Sequence, residues 1–152
     1  MKKILKVSLI ILLLFSGNLA AQDTEEVLLN NPAVRIRATE AVNLMYDFKF
    51  DEANKRFEWL KSDYPNHPLS YFLKGLSYWW RIMPNVDNGE YDEVFLAYMD
   101  TSIAKAEKLG GKRAAYAEKA FFLAGSHAFV ARLYSERSAW RKASITKKKA
   151  LN

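Results

Sequence analysis

Apolar residues recur at helical spacing along most of the chain, and no segment alternates with a period of two. A first helix is predicted from Asn31-Pro32, which is typical of an N-cap followed by proline in the first turn, to about Tyr46. After a turn at 47–51, a second helix ends at Pro65, because proline removes a donor and restricts the preceding residue. The two helices predict an α-hairpin. Their predicted inward residues are Val34, Ala38, Ala41, Val42 and Met45, then Ala53, Phe57 and Leu60.

The segment from Leu69 to Met83 is apolar nearly all round, which on a helix indicates burial on more than one side. A loop rich in turn-forming residues follows at 84–89, and helix is predicted again from Glu90. Gly110-Gly111 is the predicted C-cap of this helix, since glycine adopts the left-handed backbone at little cost. The predicted inward stripe of this helix is Val94, Ala97, Tyr98, Thr101 and Ala104.

A long helix is predicted from Lys112 to Tyr134, and a last one from Glu136, with Ser135 as its N-cap and Trp140 and Ala143 facing inward. Small residues follow one side of the long helix, where we expect them to allow a close helix crossing. These residues are Ala117, Ala120, Ala124, Ala128 and Ala131. The sequence therefore predicts an all-α fold of about six helices in antiparallel hairpins.

The N-terminus has the order of a secretion signal. Met1-Lys2-Lys3 is positive, the run from Leu5 to Phe15 is largely apolar, and small residues lead to Ala21. We therefore predict a signal peptide at 1–21 and one helical domain at 22–152. The apolar run is about half of the roughly 18 residues that a membrane anchor needs, although a retained N-terminal anchor remains an alternative.

The composition narrows the expected compartment and partners. The chain contains no cysteine, so it can form neither a disulfide nor a lipid-modified N-terminal cysteine. We expect an exported, periplasmic or envelope-associated protein that is not a lipoprotein. Of the formal charge of +6, about half leaves with the signal, and the segment 132–152 has seven basic residues against one acidic residue. This end is predicted to be a solvated face that can approach a membrane surface; export argues against nucleic acid.

The residues that could perform chemistry are few. The chain has two histidines and no cysteine, so no common zinc site is possible within it, and we predict no metal and no cofactor. Ser126 and His127 are adjacent on a helix and point about 100° apart, so they do not form a nucleophile and base pair. His67 is expected to serve the start of a helix. The sequence predicts that the protein is not an enzyme.

The chain repeats itself at about 34 residues, the period of a common helix–turn–helix repeat. This shift places Ala41 on Gly75 and Leu44 on Tyr78, and Tyr71, Gly75 and Tyr78 have the aromatic, small, aromatic spacing of the first helix in tetratricopeptide repeats. In the preceding copy, the alanine, aromatic and proline of the second helix are Ala53, Phe57 and Pro65. The chain resembles the tetratricopeptide repeat family over roughly residues 35–146.

The copies depart from the family pattern in several places. Lys74 stands where a leucine is expected, Val94 replaces an alanine, and the similar segments starting near Asp51 and Asp92 are 41 residues apart because the 84–90 loop is longer. A distant third version lies at 138–143. The last predicted helix ends without a polar capping helix, so we expect the chain to be the N-terminal part of a longer repeat protein or to be covered by a partner.

The resemblance implies an α-solenoid that binds a protein or peptide, here an exported scaffold in the cell envelope. Lys74, Tyr78 and Arg81 recur at about one helical turn and are predicted to form one accessible strip that serves as the binding groove. The full predicted contact set is Tyr71, Lys74, Tyr78, Trp79 and Arg81. Two alternatives stand beside this function: a non-catalytic helical part of a larger envelope enzyme or accessory protein, and a membrane-surface protein with a retained anchor.

Overall fold

The computed structural model describes residues 27–111, 113–137, 146–147 and 149–151, and these residues are helical with connecting turns and no strand. The predicted all-α fold is confirmed. The predicted signal peptide at 1–21 and the segment 138–145, which contains Trp140, lie outside the described residues. The α-helices are α1 (Pro32–Tyr46), α2 (Phe50–Asp63), α3 (Pro68–Ile82), α4 (Asp92–Glu107) and α5 (Arg113–Glu136), with short 3-10 turns at Leu28–Asn30 and Met83–Asn85.

Helix α1 begins at Pro32 with Asn31 as its N-cap, as predicted, and α3 begins at Pro68, one residue before the predicted segment. The Asn31 side chain accepts hydrogen bonds from the backbone N–H groups of Ala33 and Val34, at 3.0 and 3.3 Å. At the start of α3, His67 Nδ1 accepts from Leu69 N–H at 3.2 Å. Each of these N-caps precedes a proline at the first helical position, whose missing N–H needs no partner there. The predicted structural role of His67 is thus confirmed.

The helices form two layers. Each helix packs against the next in sequence, and α3 also contacts α1 and α5. The helices α1, α3 and α5 therefore form one layer, while α2 lies across α1 and α3 and α4 lies across α3 and α5. The predicted inward stripes of α1 and α2 are confirmed, since Val34, Ala41, Met45, Ala53, Phe57 and Leu60 are buried and Ala38 and Val42 are half-buried.

The predicted stripe of α4 is wrong by one position. The buried residues of α4 are Phe95, Met99, Ser102 and Ala106, while Val94, Tyr98 and Thr101 are half-buried and Ala97 and Ala104 are exposed. Phe95 and Met99 are the large side chains that fill the crossing with α3, where Gly75 lies against Met99 and the rings of Trp79 and Phe95 are 5.8 Å apart. Burying these larger groups removes more apolar surface from water than burying Val94 and Ala97.

The predicted inward side of α5 is also wrong. The alanines at 117, 120 and 128 are exposed, and those at 124 and 131 are half-buried. The buried side carries Phe122, Val130 and Leu133, with Ser126 Oγ 3.0 Å from Ser102 Oγ. The helix extends through Ser135 and Glu136, so Ser135 is not an N-cap. Gly110-Gly111 is not the C-cap of α4 either: the helix ends at Glu107, and Gly111 takes a left-handed φ of 109° in the connection that follows.

The long loop between α3 and α4 is held by one side chain from the end of α5. Arg137 donates to both carboxylate oxygens of Asp92 at 2.7 Å, and to the carbonyls of Val86 and Asn88. These bonds give hydrogen-bond donors to loop carbonyls that have no donor from helical backbone. The hydrogen bond to the Asp92 carboxylate is the main reason why the pKa of Arg137 is raised.

Candidate functional site

One side of α3 is covered by the second layer. Lys74 hydrogen-bonds Glu58 of α2 and lies 4.8 Å from the ring centre of Tyr98 of α4. Tyr78 stacks on the same Tyr98 ring, with centroids 5.7 Å apart. Arg81 turns toward α2 as well, where its guanidinium is 3.7 Å from a carboxylate oxygen of Asp51. The strip Lys74, Tyr78, Arg81 therefore faces α2 and α4.

The prediction that this strip is accessible is wrong. The Lys74 side chain is 7% exposed, and Tyr78 and Arg81 are only partly exposed. Trp79 is buried between α4 and α5, with its ring 5.6 Å from that of Phe129. Tyr71 is half-buried and donates to the Pro65 carbonyl at 3.0 Å. When a helix is apolar nearly all round, sequence periodicity does not show which side packs against a neighbour. The charged residues Lys74 and Arg81 therefore suggested an accessible side that is in fact covered.

Lys74 and Glu58 form the central ion pair of the covered side. The hydrogen bond from Lys74 lowers the pKa of Glu58 and outweighs the burial that opposes it. Burial alone would lower the pKa of Lys74, but hydrogen bonds to Glu58 and Tyr98 reverse this effect and raise it. Both groups are therefore charged at neutral pH, with the Lys74 side chain buried and the Glu58 side chain 50% exposed.

The opposite side of α3 carries Leu76 and Trp80. At about 100° per residue, these two positions lie roughly 160° and 120° from Lys74 around the helix. Both side chains are half-buried. The half-exposed tryptophan of the pair is thus Trp80, whereas the predicted contact residue Trp79 is in the core.

The neighbouring strips of α1 and α5 extend this side across the layer. On α1, Arg35, Val42 and Tyr46 are spaced i, i+7, i+11 and share one strip; the Tyr46 ring meets the Trp80 ring edge-on at 5.3 Å. On α5, the same spacing joins Phe121, Ala128 and Arg132, and Phe121 lies 6.0 Å from Phe72 of α3. We call this surface the open face. It comprises Arg35, Val42, Tyr46, Leu76, Trp80, Phe121, Ala128 and Arg132.

The open face carries large apolar groups in contact with solvent. Tyr46 is 54% exposed and Phe121 is 52% exposed, at opposite edges of the layer. Beyond the end of α1, the Phe48 ring packs edge-on against Phe50 at the start of α2, with centroids 5.9 Å apart; Phe48 is 64% exposed and has a φ of 59°. A bulky side chain is rare at such a φ, because the Cβ crowds the following carbonyl. The turn therefore holds an exposed aromatic ring at an energetic cost.

A pocket lies at one end of the open face. It is the end where α1, α3 and α5 begin. The turn Leu28–Asn30 reaches α5, where Leu29 N–H donates to Glu118 Oε1 at 2.8 Å, and His67 Nε2 lies 3.3 Å from the same oxygen. The Glu118 side chain is almost completely buried. We call the resulting cavity of about 220 Å³ the end pocket. It is lined by Val27, Leu29, Asn30, Ala117, Glu118 and Phe121.

The open face and the end pocket are lined mainly by apolar, aromatic and arginine side chains. No group of three or more histidine or carboxylate side chains that could hold a metal occurs in the described part of the chain. Ser126 Oγ pairs with Ser102, and burial lowers the pKa of His127. Sequence reasoning missed Tyr46, Trp80 and Phe121 as surface groups, although the pairing of Trp79 with Trp80 already indicates that both cannot face the core.

Comparisons of this chain with protein-family models, curated proteins and solved structures found no match. None of the helices in the described ranges is both long enough and apolar enough to cross a membrane.

Proposed function

We propose that this protein is an exported, tetratricopeptide-like helical scaffold that binds a protein or peptide in the cell envelope, and that the open face is its binding surface. The observation that carries the proposal is that an aromatic ring reaches solvent on each of the three strips of that face, at Tyr46, Trp80 and Phe121. Exposed apolar surface of this kind is characteristic of interaction sites. They are also the residue types that contribute most to binding energy at protein interfaces.

The outer surface of the second layer supports this assignment by contrast. Charged residues occupy the exposed positions of α2, as in the run Asp51, Glu52, Lys55 and Arg56. Such a surface remains solvated without a partner. The open face therefore exposes aromatic groups that a partner can cover, whereas the outer surface of α2 exposes charged groups that water solvates.

The layer order also supports the resemblance to tetratricopeptide repeats. Gly75, the small residue of the sequence pattern, lies at the crossing of α3 with α4, and Ala53 and Phe57 are fully buried in α2. Each is thus at a position where the repeat pattern needs a small or an aromatic residue for packing. In the proposed scaffold, the contact residues are Tyr46, Trp80 and Phe121, and the earlier candidates Lys74 and Trp79 serve packing.

Site-specific photocrosslinking in living cells tests the proposed function. A photoreactive phenylalanine analogue replaces Trp80 on the open face in one variant and Arg56 on the outer surface of α2 in another. We expect discrete crosslinked protein bands from position 80 and none from position 56. Equal crosslinking at both positions, or none at position 80, would contradict the proposal. The secretion of both variants is checked by fractionation, which also tests the predicted export.

A further inference from the structure

We infer that the open face takes an acidic peptide segment whose large apolar side chain is anchored in the end pocket. This inference rests on the proposed function and adds the chemistry of the partner. Three features carry it: the charge difference between the two layers, the position of the exposed arginines, and the apolar lining of the end pocket.

The two layers carry opposite charge. The helices α1, α3 and α5 contain seven basic and three acidic residues, a formal charge of +4. The helices α2 and α4 contain four basic and eight acidic residues, a formal charge of −4. Part of this positive charge faces the second layer, because Lys74 and Arg81 pair with Glu58 and Asp51. The cations of the open face itself are Arg35 and Arg132. They favour the approach of an anionic partner and disfavour a cationic one, mainly through the association rate and the choice of partner.

The arginines of the open face are available to such a partner. Arg35 is exposed and has no ion pair within the described residues. Arg132 is 61% exposed and pairs only with Glu136, one turn further along its own helix. Glu40 lies on a different side of α1, about 140° from Arg35, and Glu118 is buried. Two cations therefore flank an aromatic surface that presents no unpaired carboxylate.

The end pocket supplies the apolar part of the site. Val27, Leu29, Ala117 and Phe121 form most of its wall, and Glu118 already accepts a hydrogen bond from Leu29 N–H. Its volume of about 220 Å³ is large enough for one leucine or phenylalanine side chain. An apolar anchor in such a pocket, surrounded by a polar rim, is the usual energetic centre of a peptide interface.

A second copy of the chain fits this site less well. The second layer of another molecule offers the required negative charge, but its exposed positions carry charged or small residues, as at Glu52, Glu93 and Ala97. It supplies no large apolar group for the end pocket. The charge of the open face and the apolar lining of the end pocket therefore favour a separate segment that combines carboxylates with leucine or aromatic residues.

Fluorescence anisotropy with the purified full chain tests the inference with three pools of labelled 15-residue peptides. The first pool combines acidic with leucine and aromatic residues, the second combines basic with the same apolar residues, and the third combines acidic with small polar residues. We expect the acidic apolar pool to bind at least tenfold more tightly than either other pool. We also expect its affinity to fall as salt concentration rises, because screening weakens exposed charge interactions.

Matched variants locate the binding. The double change Arg35→Glu and Arg132→Glu should weaken the acidic apolar pool at least tenfold, whereas Lys55→Glu on α2 leaves it unchanged. Ala117→Trp fills the end pocket and should abolish binding, whereas Ala120→Trp, at another exposed alanine of α5, does not. Circular dichroism melting verifies that each variant folds.

The outcomes separate the inference from the proposed function. Equal binding of the basic and acidic apolar pools, or binding that Ala117→Trp does not change, overturns the inference while crosslinking at position 80 still supports a scaffold. If no pool binds, the inference is wrong as well. If vesicles containing phosphatidylglycerol bind in an Arg35- and Arg132-dependent way and no peptide pool does, the open face is a lipid-binding surface.

Discussion

Lys74 illustrates how one residue accounts for a departure from the repeat pattern. The repeat pattern has a leucine at this position. Here the ammonium group of Lys74 is buried under the second layer, which α2 and α4 form. It is stabilised because Glu58 and the Tyr98 ring provide a carboxylate and a π-face at the point where α2, α3 and α4 meet. A buried charge is tolerated only where such partners exist. Lys74 is therefore part of the packing between the layers.

The stability of this ion pair should depend on pH. The folded state lowers the pKa of Glu58, so its contribution is present above the unfolded value of about 4.3 and is lost as pH falls through the folded value. Glu58→Gln should lower the free energy of unfolding by about 1 kcal/mol at pH 7, because the hydrogen bond loses its charged acceptor. Below about pH 4 the difference should shrink.

Chemical denaturation of the wild type and Glu58→Gln between pH 3 and pH 9 measures this difference. Glu40→Gln is the control, because Glu40 is an exposed carboxylate of α1 without an ion pair among the described residues. The pKa of Lys74 is raised, so its contribution persists throughout this range and is lost only at higher pH. A difference that is constant with pH would contradict the assigned pairing.

At the scale of the element, the crossing of α3 and α4 depends on a missing side chain. A Cβ placed on Gly75 would lie 2.7 Å from Met99 Cε, and Met99 is fully buried. Gly75→Ala should destabilise the protein by about 1–3 kcal/mol through overpacking. In a Met99→Ala background the same change should stabilise it by up to about 1 kcal/mol, because alanine is the better helix former.

A double-mutant cycle from thermal melts of the four proteins measures this coupling. The two changes should be strongly non-additive, with Gly75→Ala reversing its sign between the backgrounds. Additive effects would mean that Gly75 and Met99 do not share the crossing, and that the glycine serves another purpose.

The loop between α3 and α4 is expected to depend on Arg137. Arg137→Lys keeps the charge but loses the paired hydrogen bonds to Asp92 and a loop carbonyl. We expect a loss of about 1–2 kcal/mol in the free energy of unfolding. The control is Arg132→Lys, whose exposed ion pair is expected to contribute about 0.3–0.5 kcal/mol. Equal effects of the two changes would contradict the role of Arg137.

The sequence predicts the start of α1, which a local cap defines, and the buried faces of α1 and α2, but not the buried faces of α4 and α5. Asn31-Pro32 and His67-Pro68 fix the starts of α1 and α3 because capping is a local interaction. The inward side of α5 is different, since it depends on which neighbour meets the helix. Ala117 and Phe122 both lie on plausible apolar stripes, and only the tertiary contact with α3 and α4 decides that Phe122 is buried.

At the scale of the whole molecule, the candidate site arises from three strips far apart in sequence. Tyr46 contacts Trp80, and Phe121 contacts Phe72, so the three strips share one face only because α1, α3 and α5 share a layer. No local motif links them, so the sequence indicates their aromatic character but not their common surface. The end pocket is even harder to predict from the sequence, because it joins Leu29 near the start of the array to Glu118 of α5.

That bond between Leu29 and Glu118 spans 89 residues, whereas nearly all other contacts join consecutive helices. A linear array of helices frays independently from each end, because a terminal unit is held on one side only. Here the turn Leu28–Asn30 ties the start of the array to the first turns of α5, so both must open together. The tie raises the contact order and makes the unfolding of the ends cooperative.

Hydrogen exchange measures this cooperativity through the exchange rates of backbone amides at the two ends. The amide of Leu29 should exchange at the rate of the first turns of α5, because Glu118 accepts its hydrogen bond. Glu118→Ala should accelerate exchange at both places together while leaving α2 protected. Acceleration at Leu29 alone would mean that the ends open separately. If they open together, a partner seated in the end pocket, which both ends line, would slow the exchange of Leu29 and of the first turns of α5 by the same factor.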